Sequence, residues 1–109
     1  MDKYVCARPV HPGEILKEEV EYRGISQKKL AAEMGLSYKM LNLILNERRP
    51  LTAETAMLFE AVMGIDSNML INIQTEYNMR VARRDKSFTE RLSEIRKKAV
   101  MFSYACHPV

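Results

Sequence analysis

A length of 109 residues corresponds to one domain, and 47% hydrophobic residues suffice for a modest core and exclude a disordered tail. The low numbers of Gly and Pro, four of each, argue against a turn-rich all-β fold. No apolar run approaches the ~18 residues that span a bilayer, which argues against a membrane protein. The net charge of +3 is unevenly distributed along the chain. Residues 1–79 carry nine Lys/Arg and eleven Asp/Glu, whereas residues 80–109 carry eight Lys/Arg and three Asp/Glu. The first ten residues lack the apolar segment of a signal peptide, so we expect a cytoplasmic protein.

The first predicted helix begins with His-Pro-Gly and is rich in acids. It runs from Gly13 to about Tyr22, and Pro12 suits its first turn because the N–H groups there have no helical partner. Residues 14–21 carry four Glu and one Lys, and we expect these acids to face away from any polyanion. No Cys or acidic cluster accompanies His11, so we interpret it as a capping or surface histidine.

Two short helices follow, separated by about three residues. Ser26 is expected to cap the first, which ends at Gly35, and Ser37 to cap the second, which extends to about Asn46. A small residue, Ala31, lies inside the first of them, where two backbones can approach closely. This pattern is typical of a helix-turn-helix, in which the second helix enters the major groove of DNA.

Two further helices complete the predicted domain. Thr52 is expected to cap a helix that ends at Gly64, and Asp66 or Ser67 to begin a longer one that extends to about Arg84. Three methionines of this region and the preceding helices are expected in the core: Met34, Met57 and Met63. The sequence therefore predicts an all-α fold with five helices in a domain over residues 8–84.

Residues 85–109 are predicted to form a C-terminal amphipathic basic helical extension. Ser87 with Glu90 has the spacing of a capping box. Apolar residues then recur at spacings of four, three, four and three: Phe88, Leu92, Ile95, Ala99 and Phe102. Three interpretations stay open for this segment, namely a solvated amphipathic helix, additional phosphate contacts, or an element that binds a second copy or a toxin.

The helix pair carries side chains suited to double-stranded DNA, and residues 23–49 contain six Lys/Arg and two Glu. Gln27 lies at a helix N-terminus, where free N–H groups suit a phosphate. Lys39 has donors for guanine, and Asn42 can pair with adenine through two hydrogen bonds. The candidate DNA contacts are Gln27, Lys28, Ser37, Tyr38, Lys39, Asn42, Asn46, Arg48 and Arg49.

The segments HPGEILKEEV, GISQKKLAAEMGLS and LILNERRPLTAETAMLFEAVMG resemble the HigA-type antitoxins. These are phage-repressor-like helix-turn-helix proteins of the XRE family, and the resemblance runs from about Arg8 to Tyr77. It implies a phage-repressor-like fold and a homodimer that binds its own operator. It also implies that the protein neutralises a RelE-type mRNA-cleaving toxin encoded by the adjacent gene.

Three residues depart from the family pattern. Glu47 stands where the family has Gly, Tyr38 where it has Arg or Gln, and Leu43 where many relatives have a polar or basic residue. Two alternatives to this interpretation stay open. One is a toxin-binding interaction module with little DNA binding, and the other is a helix-turn-helix transcriptional regulator without a toxin partner.

An enzyme is not expected from this sequence. It has no Gly-rich phosphate loop, no metal-ligand spacing and no nucleophile with a neighbouring base. Cys6 and Cys106 are far apart in the chain, and isolated thiols of a cytosolic protein are usually free. We therefore expect no cofactor, no metal and no membrane partner.

Overall fold

The structure, a computed structural model, describes residues 8–99 and Phe102, and within these residues its regular elements are all helices. They are α1 (Pro12–Tyr22), α2 (Gln27–Met34), α3 (Tyr38–Leu45), α4 (Ala53–Met63), α5 (Ser67–Arg84) and α6 (Lys86–Lys98). The predicted all-α fold, with five helices followed by a helical extension, is confirmed. None of the six is long and apolar enough to cross a membrane.

Side-chain caps determine where most of these helices begin. Ser26, Ser37 and Thr52 each accept a hydrogen bond from the backbone N–H three residues later, over 3.3, 3.0 and 3.2 Å. The Asp66 carboxylate accepts one from Met69 N–H over 3.2 Å. Each bond provides a partner for an N–H that the helix cannot pair internally. These four predicted caps are confirmed.

The predicted start of the last helix is wrong by two residues. Asp85, not Ser87, caps α6, and its Oδ1 accepts a hydrogen bond from Phe88 N–H over 3.1 Å. Asp caps as strongly as Ser, and Asp85 directly follows α5, so the new helix begins at the first strong cap available. Ser87 lies inside the first turn of α6, and the capping box with Glu90 does not form.

The hydrophobic core takes side chains from α1 to α5, with the fully buried Phe59 as its largest member. Met34 and Met63 lie in the core, as predicted. Met57 does not, because 61% of its surface is exposed. It stands two residues from Phe59, which is about 200° around the helix and places it on the opposite face. Helical spacing identified the apolar residues of α4 but not which of its sides is covered.

One buried polar side chain ties α5 to the segment between α3 and α4. Gln74 is 5% exposed, and its Oε1 accepts a hydrogen bond from Leu51 N–H over 2.7 Å. Leu51 is itself buried in the core. A buried backbone N–H without a partner is costly, so this bond fixes where the chain enters α4.

The chain divides into two compact units, one up to Tyr77 and one from Asn78, so the division lies within α5. The core belongs to the first unit. In the second, no residue of α6 is buried, and the predicted apolar seam is exposed at Phe88, Leu92 and Ile95. The predicted domain boundary after Arg84 stays a prediction. Cys6 and Cys106 lie outside the described residues.

Candidate nucleic-acid interface

The helix pair α2 and α3 is joined by a tight turn. Gly35 ends α2 with φ 71°, a left-handed conformation that costs little without a Cβ. Leu36 N–H then donates to the carbonyl of Ala31 over 2.9 Å. Ala31 is buried, as expected where two helix backbones approach closely. Ser37 begins α3 at once, so the turn holds the two helices in one fixed arrangement.

The first turn of α3 is open to solvent. Ser37, Tyr38 and Lys39 are exposed, with 47% of the Tyr38 surface accessible. Lys28 Nζ on α2 lies 5.9 Å from the centroid of the Tyr38 ring, which is within the range of a cation–π interaction. The start of α3 therefore presents a hydroxyl, a phenol and two cations side by side.

A pair of amides links the two helices. Asn42 Nδ2 donates to Gln27 Oε1 over 3.4 Å, and both residues are half-buried. Gln27 is the first residue of α2, and Asn42 lies in the second turn of α3. The contact restricts the rotamers of both side chains, so Asn42 is oriented by α2 as well as by its own helix.

The end of α3 is held by α1. Lys17 Nζ on α1 donates to Asn46 Oδ1 over 3.0 Å, and Asn46 Nδ2 donates to the carbonyl of Asn42 over 2.9 Å. Glu47 follows with φ 64°, a left-handed conformation that disfavours residues with a Cβ. Gly, which the resemblance leads us to expect at this position, would adopt this conformation without that cost. Arg48 and Arg49 come next and are exposed.

The His-Pro-Gly segment forms the contact between α1 and the end of α3. His11 is 2% exposed and caps α1, because its Nδ1 accepts a hydrogen bond from Gly13 N–H over 2.8 Å. Its ring meets Tyr77 edge to face at 4.9 Å. A Cβ on Gly13 would overlap the carbonyl oxygen of Ile44. Of the two interpretations of His11, capping is confirmed, and the ring is not at the surface.

Two titratable groups near this contact have shifted pKa values. Burial lowers the pKa of His11, although the charge of Glu47 and a backbone hydrogen bond with Arg49 act in the opposite direction. Glu14 is paired with Arg8 at 2.8 Å, and this hydrogen bond lowers the pKa of the carboxyl. The ring of His11 is thus neutral at pH 7, as its role as a hydrogen-bond acceptor requires.

The predicted site residues lie on α2, on α3 and directly after α3. Contacts bring Gln27 to Asn42, Lys28 to Tyr38, and Asn46 to Asn42. Ser37 and Lys39 stand at the start of α3, and Arg48 and Arg49 follow its end.

Two residues of this surface, Lys17 and Leu43, are not among the predicted DNA contacts. Lys17 is 29 positions from its partner Asn46, and no local pattern signals such a contact. Leu43 could have been found from its offset of four from Lys39, which places the two on one side of α3.

Comparison with known proteins matches the helix-turn-helix family over residues 16–70. The chain is 38% identical to virulence-associated protein I of Dichelobacter nodosus over 78 residues, which is 71% of this chain and 72% of that protein.

Solved structures show the same arrangement of helices. An addiction module antidote protein of the HigA family from Coxiella burnetii superimposes with a TM-score of 0.65, at 27% identity over 94% of this chain and 99% of that one. The Pseudomonas aeruginosa antitoxin HigA, solved with the higBA promoter, gives 0.66 at 28% identity over 81% and 91%. This chain belongs to the XRE-type helix-turn-helix family, and its structural neighbours are HigA-family antitoxins.

Proposed function

We propose that this chain is a sequence-specific DNA-binding antitoxin that represses its own toxin–antitoxin operon. It binds the operator as a homodimer in the cytoplasm and neutralises a RelE-type mRNA-cleaving toxin, encoded by the adjacent gene, by direct binding. In this proposal residues 8–84 are the DNA-binding domain and residues 85–109 a helical extension.

The observation that carries the proposal is the surface of the α2–α3 pair. Donors and cations project from the start of α3, from the facing start of α2 and from the segment after α3. Major-groove recognition requires this combination, because charged groups bind phosphates while oriented amides and the first turn of the helix contact bases. The solved relative with a promoter supports the same use of the fold.

Each predicted residue has a role in this proposal. Gln27 and Lys28 bind the phosphate backbone beside α2, and Ser37, Tyr38 and Lys39 contact base edges. Asn42 contacts adenine from the orientation that Gln27 imposes. Asn46, Arg48 and Arg49 bind the backbone at the far end of α3. In a two-fold dimer the two recognition helices would occupy major grooves about 34 Å apart.

The test is binding of the full chain to the DNA upstream of its own gene, measured at two salt concentrations. We expect selective binding that weakens steeply with salt, since the logarithm of affinity falls by about 0.9 per phosphate contact for each tenfold rise in salt. Replacing Lys39 and Asn42 together by Ala should abolish the preference for this DNA over scrambled DNA. Replacing Lys97 and Asn68 by Ala removes the same two side-chain types elsewhere and should preserve it.

Adding the product of the adjacent small gene separates the alternatives. A change in DNA affinity with the added protein supports an autoregulating antitoxin, because linkage couples the two binding events. A stable complex without DNA preference would replace the proposal with a toxin-binding module. Selective DNA binding without any complex would indicate a transcriptional regulator that has no toxin partner.

A further inference from the structure

One apolar side chain of α3 is not used by the core. Leu41, Ile44 and Leu45 are buried in it, and Met40 packs against it. Leu43 belongs to neither group and is only half-buried. Leu43 is therefore an aliphatic side chain of α3 that is partly exposed to solvent and does not belong to the core.

Helix geometry places Lys39 and Leu43 on the outward side of α3. At 100° per residue, the buried residues Leu41, Ile44 and Leu45 define one side, and the opposite side passes between Lys39 and Leu43. Asn46 follows at an offset of three on the same side. Asn42 is turned towards α2, where it bonds Gln27. The outward side of α3 in mid-helix therefore carries a leucine, part of whose surface is exposed.

Leu43 supplies the apolar lining of a shallow recess. The recess has a volume of about 330 Å³, and its other lining residues are Asn42, Asn46 and Arg48. Both amides are held in place, Asn46 by Lys17 and by the Asn42 carbonyl, and Asn42 by Gln27. The site is therefore an apolar patch between oriented amides, with a cation at its rim.

We propose, on the basis of the proposed DNA binding, that Leu43 is a specificity-determining residue that contacts the C5-methyl group of a thymine. On the major-groove edge of unmodified DNA, only thymine presents a methyl group. Arg48 at the rim suits the neighbouring phosphate. Opposite cytosine, which lacks the methyl, Leu43 would gain less burial.

The size of the effect follows from the burial of one methyl group. About 0.8 kcal/mol per methyl-sized group corresponds to a roughly three- to fourfold change in affinity for each contacted thymine. The methyl contact adds no hydrogen bond, so it discriminates by apolar burial alone.

The experiment first selects the preferred duplex of the full chain from randomised DNA. Each thymine is then replaced singly by deoxyuridine, which removes the C5-methyl and leaves the hydrogen-bonding groups unchanged. For the wild type we expect a three- to fourfold loss of affinity at one thymine of each half-site. Leu43→Ala should show no loss at that thymine, whereas Leu43→Met, which stays apolar, should retain part of it.

Met57→Ala is the matched control, because it shortens an exposed apolar side chain of α4. It should keep the deoxyuridine penalty of the wild type. Leu43→Ala should unfold at the wild-type temperature, since Leu43 lies outside the core. A wild type indifferent to deoxyuridine at every thymine overturns the proposal, as does an undiminished penalty in Leu43→Ala or a selected duplex without thymine. Failure to select any duplex would instead contradict the proposed function.

Discussion

The parts of the chain before and after the division within α5 use the same local signals with different results. Both have helices that begin at side-chain caps and carry apolar residues at helical spacing. In the first part Phe59 is completely buried, whereas in the second Phe88 is 41% exposed and α6 has no buried residue. Apolar spacing shows which side of a helix can be covered. Whether that side is covered depends on whether apolar side chains of other helices pack against it.

The largest expected difference comes from the same substitution in both parts. Phe59→Ala removes a ring from the core and should lower the free energy of unfolding by about 3–5 kcal/mol. Phe88→Ala removes a partly exposed ring and should change it by less than about 0.5 kcal/mol. Urea unfolding of both variants and of the wild type measures the two changes in the free energy of unfolding.

A large cost for Phe88→Ala would break the comparison, because it would mean that α6 is covered in solution. Measuring that cost over a range of protein concentrations would then identify the cover. A cost that grows with concentration would indicate a second copy on the apolar seam, since the stability of a dimer depends on protein concentration.

Gly13→Ala tests how closely the first part is packed. The new Cβ would overlap the carbonyl oxygen of Ile44, so α1 and the end of α3 must move apart. We expect a loss of about 1–3 kcal/mol in unfolding free energy, as for other overpacked sites. DNA affinity should fall as well, because the displaced segment carries Asn46 and leads to Arg48.

The control is Gly24→Ala, which strains a left-handed residue at φ 67° with nothing within 4 Å of the added Cβ. It should cost about 1–2 kcal/mol and leave DNA binding unchanged. Equal losses of DNA affinity in both variants, at a temperature where both are folded, would contradict a special role of Gly13 in placing α3.

Features that depend on neighbouring residues were predictable from the sequence. The caps Ser26, Ser37 and Thr52 and the glycine that ends α2 need only a few consecutive residues, and all were confirmed. The predicted start of α6 was wrong because two strong N-cap residues, Asp85 and Ser87, stand two residues apart. The first of them along the chain, Asp85, caps the helix.

Features that join distant segments were not predictable. The bond from Lys17 to Asn46 spans 29 residues, and that from Leu51 to Gln74 spans 23. The burial of His11 depends on α5, which contributes Tyr77. The resemblance to HigA-type antitoxins predicted a DNA-binding class of site, but it could not indicate that Lys17 of α1 contacts Asn46 at the end of α3. That arrangement became visible only with the fold.

The N-caps of α4 and α6 provide a smaller test of the comparison. Thr52→Ala and Asp85→Ala each remove one acceptor from a backbone N–H, at a cost of about 1 kcal/mol to the local helix. For α4 this cost should lower the stability of the whole first part. For α6 it should appear as faster hydrogen exchange in Lys86–Lys98, with no change in the exchange of core amides. Protection lost equally in both parts after Asp85→Ala would show that they unfold together.

The smallest effect at neutral pH concerns His11, because its ring is already neutral there. Burial lowers its pKa below the usual 6.5. As the pH falls below about 6.5, the unfolded chain gains a proton that the folded chain does not, so the free energy of unfolding decreases. The decrease ends once the pH has passed the lower pKa of the folded state. Protonation there would also remove the Nδ1 acceptor of Gly13 N–H.

His11→Asn isolates this effect, since Asn can still cap α1 but does not titrate. Its unfolding free energy should stay flat as the pH falls from 6.5, over the range where that of the wild type declines. Both proteins contain His107, so any contribution from that residue cancels in the difference. Glu14 does not interfere, because its usual pKa of 4.5 is lowered further by Arg8. An equal decline in both proteins would mean that His11 is protonated as readily in the folded chain as in the unfolded chain. The contact between α1 and α3 would then be less tightly packed than the core.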